Sequence, residues 1–390
     1  MNPRIILLFL IGNLFLVTIL EAKEPLPAPK VMPGMKLGGL QMEWLGPFVS
    51  SSYVRVGNRR THEVRWYSPE GKVLRSVSGA NVSVHRSFVC DYDDDSKTIY
   101  GVNSPWAMPI PKNLNSGSYH TSTWDSRTYV VEHHPQKSQV AVDVYRDGKQ
   151  LSTIGPYFQY GGTSVHLNDS GSLVFLTWTD ATKKKVQIIT AGPDGKQILG
   201  VNCPNPVQLT YGTSVSTDGT GVLIQPNRGG EDRHKFLFYT KAGLKKTFQC
   251  RYNPYPVLWL AGTHKALFST SIGHDYQFQL IDCETGKTVW KRDDVFRDRV
   301  GHGAPQVVEM KHLLIIFSRE YDKDKRSFRC FTAVNSSTGK IWARWRSDAL
   351  QSNREDEMLF KIDRRLFLVR ANGFSEILLD NVIKKKNGWK

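Results

Sequence analysis

An all-β fold of the β-propeller type is predicted by three observations on this 390-residue chain. A glycine-centred apolar–turn–apolar unit recurs along it, aligned on Gly71, Gly148, Gly195, Gly243, Gly286 and Gly339. An Asp-x-x-Gly turn comes earlier in the unit, as in GTSVHLNDSGSLVFL (162–176) and GTSVSTDGTGVLIQ (212–225). The flanking runs are rich in Val, Ile, Tyr, Phe and Trp and partly alternate, as half-buried strands do. Each unit then reads strand, Asp-rich turn, strand, longer loop, strand, Gly turn, strand. Four strands repeated about every fifty residues is the pattern of a propeller.

Taken in order, the chain opens on an expected signal peptide at 1–22. Arg4 supplies the positive charge, 5–20 are apolar, and Ala22 is the small residue at the cleavage point. An uncleaved anchor is the alternative reading. No cysteine precedes Cys90, so no lipid anchor is expected there. A Pro-rich stretch, KEPLPAPKVMPG, lies in an expected spacer over 23–40. The propeller is expected over 41–381, with blades near 44–80, 84–117, 118–157, 158–206, 207–252, 253–297 and 298–348. Seven four-stranded antiparallel blades are expected, with eight as the alternative. The strands of 355–380 are expected to pair with 36–56, which would close the ring and remove an exposed edge. A basic tail occupies 382–390.

The net charge is +16 and stays so without residues 1–22, because Arg4 and Glu21 cancel. A basic exported protein is expected to meet anionic partners, such as an acidic polysaccharide or another cell-surface polymer. Export argues against nucleic acid. With the signal peptide removed, no apolar run remains that is long enough to span a membrane. The five cysteines (90, 203, 250, 283, 330) are odd in number and widely spaced, so at least one is unpaired or pairs between chains.

The stretch 281–290 resembles the blade repeat of the quinoprotein-like (PQQ-repeat), WD40-like β-propeller superfamily: an apolar strand ending in Asp, then x-x-Thr-Gly-Lys-x-x-Trp. Ile281, Asp282, Thr285, Gly286, Lys287 and Trp290 match it position for position. In a second copy Thr338, Gly339 and Lys340 match, Asn335 replaces the Asp, and Trp342 falls one residue early. The resemblance implies structural roles, with the Gly in an outer hairpin and Trp290 and Trp342 as wedges between blades. Members that use pyrroloquinoline quinone (PQQ) have longer chains, a Ca²⁺ ion and two adjacent cysteines. This chain has no adjacent cysteines, so no cofactor is expected, with PQQ or Ca²⁺ as the alternative. Other members are exported non-catalytic scaffolds.

Three further groups are candidate sites. Asp91, Asp93 and Asp95 alternate in DYDDDS like the start of a Ca²⁺ loop, but Ser96 and Val102 stand where Gly and Glu are needed. A solvated turn is the other reading. His166, Arg299 and His302 fall near blade entries, where a ligand at a channel mouth would be met. Asn81, Asn168 and Asn335 begin N-x-[ST] triplets. No H-E-x-x-H, G-x-S-x-G or P-loop motif is present. The expected function is an exported, non-catalytic scaffold that binds a protein or an anionic polymer. The alternative is an enzyme on the same fold, either a quinoprotein-like oxidoreductase or a polysaccharide lyase or hydrolase.

Overall fold

The computed structural model describes residues 62–79, 128–146, 149–159, 186–203 apart from 193 and 195, 213–225, 234–250, 255–272, 275–296, 305–321 and 327–347, with shorter strands between 30 and 378. Its strands belong to one compact unit, Val31–Leu378. A second unit, Met1–Lys30 with Leu379–Lys390, holds the expected signal segment and basic tail, which apart from Lys30 lie outside the described residues.

Every strand pairing is antiparallel, and no α-helix occurs among the described residues. Strands that follow one another in sequence pair as neighbours. They form four-stranded series at 48–78, 82–109, 213–249 and 255–292, and a five-stranded one at 299–347. The series at 121–159 and 165–203 are joined into one sheet by Phe158↔Trp178 and Gln159↔Thr177. Loops of two to ten residues suffice for such meanders, because antiparallel neighbours need no crossover.

The C-terminal strands Met358–Ile362, Arg365–Arg370 and Gly373–Leu378 form a further series. Its last strand pairs with Met35–Lys36 through Met35↔Phe374 and Lys36↔Gly373. This pairing meets the expected 36–56 only at Lys36 and lies inside the expected spacer. Phe48–Val49 and Val54–Asn58 are instead occupied with each other and with Glu63–Tyr67. Val54–Asn58 is paired on both sides and has no ladder left for the C-terminus, whereas Phe48–Val49 is paired on one side only.

Apolar side chains fill the spaces between consecutive series. Val186, Ile188, Leu199 and Val201 pack with Val215, Val222, Ile224 and Tyr239. Leu223, Phe236, Phe238 and Phe248 pack with Trp259, Ala266, Phe268 and Ile281. Leu267, Leu280 and Trp290 pack with Leu314, Ile316 and Val334. Sheets that pack on both faces need strands that are apolar on both faces. Val222–Ile224 is accordingly buried at every position, and Leu313–Tyr321 at all but two. The last strands alternate less and face water, with Gly243–Gln249 buried only at Phe248.

The hairpin before each last strand follows from local chemistry. The Asp282 carboxylate accepts the Thr285 N–H at 3.1 Å, and the Thr285 hydroxyl accepts the Lys287 N–H at 3.3 Å. In the second copy the Asn335 side-chain oxygen takes the Asp role, accepting the Thr338 N–H at 2.9 Å. The Lys340 N–H donates to the Thr338 hydroxyl at 3.3 Å. Asn replaces Asp here without loss because only an acceptor is required. Gly339 has φ +68°, and a Cβ there would stand 2.6 Å from the ring of Trp290. The Trp290 indole N–H donates to the Ser336 carbonyl at 2.9 Å. The tryptophan of one series therefore lies on the glycine turn of the next.

Trp342 does not occupy the corresponding place. Leu280 pairs with Trp290, and its counterpart Ala333 pairs with Ala343. Trp342 is the extra residue of a β-bulge, half-exposed and against His312 with ring centroids 5.0 Å apart. One residue along a strand reverses the face, which is why the early tryptophan leaves the wedge. The buried tryptophan of that strand is Trp345.

Candidate functional site

The 216–221 and 260–265 turns, between first and second strands, line a polar cleft of about 300 Å³ together with the hairpin after Asp282, between third and fourth strands. Asp218, Thr263, His264, Lys265, Asp282 and Glu284 are among its lining residues. In the 216–221 turn the Ser216 hydroxyl donates to Asp218 at 2.6 Å, and the Thr220 N–H donates to the same oxygen at 3.1 Å. Burial opposes ionisation of Asp218, but these hydrogen bonds and the nearby His264 hold its carboxyl below the usual carboxylate range. The 260–265 turn of the next series closes through Leu260 N–H to Lys265 O at 3.0 Å and Thr263 N–H to Leu260 O at 3.2 Å.

His264 lies between the two turns. Its Nε2 is 2.7 Å from the Thr220 hydroxyl and its Nδ1 is 2.7 Å from Glu284. The neutral tautomer that donates from Nδ1 to the carboxylate accepts the Thr220 O–H at Nε2. A hydroxyl, an imidazole and a carboxylate in this order is the arrangement of a nucleophile, its base and the group that orients the base. Acyl transfer also needs donors for a developing oxyanion. The backbone donors at hand are already used: within the turns Gly219 to Ser216 O, Gly221 to Ser216 Oγ, Thr263 to Leu260 O and Lys265 to Thr263 Oγ1, and between the two turns Gly262 to Thr217 Oγ1.

The contacts of these turns recur between series. The Thr190 hydroxyl donates to Gly219 O at 2.6 Å, Thr220 meets His264, and the Ala261 N–H donates to Glu309 at 2.9 Å. Each turn is tied to a neighbour in the adjacent series, and His264 serves as one such tie.

His166 sits in Val165–Leu167 opposite Val174, and Arg299 in Arg299–Val300 opposite Tyr321, on separate sheets. His302 lies outside the described residues. Asp91 and Asp93 belong to the ladder-paired strand Phe88–Asp93, with Asp91↔Thr98 and Asp93↔Ser96, rather than to a cation-wrapping loop. Asp95 lies outside the described residues. No group of three or more His, Cys, Asp or Glu among the described residues is placed to hold a metal ion. The repeat residues Asp282, Thr285 and Thr338 are turn builders, and Lys287 and Lys340 are exposed beside them. Sequence reasoning missed His264, Thr220 and Glu284. The signal for them was the similarity of the STDGTG and LAGTHK turns at equivalent places in two units.

Charge is distributed by strand. The last strands Val73–Ser78, Ala107–Pro109, Lys149–Gln159, Gln197–Cys203, Gly243–Gln249, Lys287–Arg292 and Ile341–Ser347 contain no Asp or Glu. They carry Arg75, Lys149, Lys245, Lys246, Lys287, Lys291, Arg292, Arg344 and Arg346. Positive residues that look scattered in the linear chain thus return to the last strand in five of these seven series. The cleft has the opposite character, with three carboxylates around Lys265 and His264.

No family model matches this chain. No curated protein matches it in sequence. Among solved structures it is similar to Hsv2 of Kluyveromyces lactis, at 10% identity over 76% of this chain and 95% of that one, with a TM-score of 0.42. It is similar to a streptogramin B lyase at 11% identity over 91% and 99%, with a TM-score of 0.45. It is also similar to the dihydro-heme d1 dehydrogenase NirN at 13% identity over 79% and 66%, with a TM-score of 0.44. At TM-scores below 0.5 none of these likenesses carries an activity to this chain.

Proposed function

We propose that the chain is an exported, non-catalytic β-propeller whose last strands bind an anionic polymer. The eight consecutive series, counting 358–378 with Met35–Lys36, support a ring of eight blades, the alternative to the expected seven. Packing of the four series from 165–203 to 299–347 on one another supports the radial arrangement. Export rests on the signal-like segment 1–22. The observation that carries the binding role is the charge of the last strands, where cations recur and carboxylates are missing. Cations clustered on one structural element attract a polyanion and make its binding salt-dependent.

The test is retention of the full chain on an immobilised acidic polysaccharide against neutral dextran, across a salt gradient. Lys245→Glu, Lys246→Glu and Lys287→Glu together should move elution to markedly lower salt. Elution unchanged by this charge reversal would refute the reading.

The Thr220–His264–Glu284 arrangement favours a second reading, a polysaccharide hydrolase or lyase. The role of His264 as a tie between two series counts against it. Release of reducing or unsaturated ends from acidic polysaccharides, abolished by Thr220→Val and by His264→Gln, would establish it in place of the first.

A further inference from the structure

The hairpins leading into the last strands share a second feature, a register shift that leaves one residue of the last strand between two paired neighbours. Trp66↔Arg75 and Tyr67↔Val73 leave Leu74. Val144↔Ser152 and Tyr145↔Gln150 leave Leu151. The same happens to Ile198, to Lys245, to Val289 and to Trp342. Such a bulge re-aims the side chains around it and disrupts the ladder locally.

The bulges coincide with exposed apolar surface. The exposed large hydrophobic residues of the described chain are Val73, Leu74, Leu151, Leu244 and Val289. All five lie on last strands, within three residues of a turn glycine. Each has an exposed lysine at hand: Lys72, Lys149, Lys245 and Lys246, and Lys287. Lysines and bulges by themselves protect a free strand edge from pairing with other chains. An aliphatic side chain held in water works against that protection, so edge protection does not account for it. A recurring lysine–aliphatic pair matches a partner that is anionic and also presents apolar faces.

We infer that the last strands bind a carboxylated polysaccharide, with the lysines on the uronate carboxylates and the bulge-side aliphatics against the C–H faces of the sugar rings. This rests on the polyanion reading above, which requires the cations alone. The pairs recur on four separate sheets, as repeated contacts to a polymer of repeating units would require.

The test measures binding of the full chain to polygalacturonate, dextran sulfate, single-stranded DNA and phosphatidylcholine–phosphatidylglycerol vesicles. Two variants are compared, Leu151→Ser/Leu244→Ser/Val289→Ser and Lys245→Gln/Lys246→Gln/Lys287→Gln. These side chains are exposed, and unchanged thermal unfolding of each variant verifies the fold. The aliphatic variant should lose about tenfold or more in polygalacturonate affinity, the scale of a methylene-sized apolar contact. Its salt dependence should stay that of the parent, while the lysine variant should flatten the dependence of binding on salt. Unchanged affinity in the aliphatic variant alone overturns this inference and leaves the polyanion reading standing. Unchanged affinity in both variants overturns both. Tighter binding to dextran sulfate, to DNA or to the vesicles than to polygalacturonate overturns the assignment of the partner.

Discussion

Replacing Gly339 with alanine tests the contact that joins one sheet series to the next. Gly339 has φ +68°, and a residue with a Cβ in this region carries a strain of about 1 kcal/mol or slightly more. The added methyl would also meet Trp290 at 2.6, 2.7 and 2.9 Å, which forces either the ring or the turn to move. Overpacking of that kind costs about 1–3 kcal/mol, so Gly339→Ala should destabilise by roughly 3 kcal/mol. Gly243→Ala is the control, because its φ is +95° but nothing lies within 4 Å of the new methyl. It should therefore lose only the strain contribution, about 1 kcal/mol. Urea unfolding followed by circular dichroism gives both values. In a Trp290→Leu background the two alanine substitutions should cost nearly the same. Equal costs of Gly339→Ala and Gly243→Ala in the parent chain would refute the stacking of Trp290 on the neighbouring turn.

Arg344→Met should destabilise by about 3–5 kcal/mol, because it removes the guanidinium paired with the fully buried Glu320 carboxylate. Urea unfolding checks this, and a cost below about 1 kcal/mol, the range of an exposed pair, would show that the pair is effectively solvated. Burial pushes the Cys250 thiol up to about 12 and the Cys330 thiol up to about 11, and raises that of Cys283 as well. The unfolded thiols ionise near ~8.5, so their contribution to stability is complete below that pH and is lost as pH rises toward 11–12. The urea midpoint should fall above that point, and these three thiols should stay silent to a thiol reagent at pH 8 until the chain unfolds. Adding PQQ and Ca²⁺ to the purified protein should leave its melting temperature unchanged, and an upward shift would refute the non-catalytic reading.

The glycine hairpins were legible because their chemistry is local. Asp282, Thr285 and Gly286 complete their turn within five residues, and Asn335 shows that one acceptor at the first position suffices. The candidate site was less legible. Thr220 and His264 are 44 residues apart and meet only because two turns at equivalent places in adjacent series stack. Trp342 was misplaced by one residue, since a bulge reverses the face of everything beside it.

The sequence by itself determined the all-β class, the antiparallel order of the strands and the position of the turns. Those follow from β-branched and aromatic runs and from acceptor–glycine turns, interactions that span a few residues. Only the tertiary structure decided that Met35–Lys36 pairs with the C-terminal strands, that Trp290 rests on the next turn, and that Thr220 meets His264. Each of these depends on which residues from distant units come to face one another, and that is set by how the sheets stack.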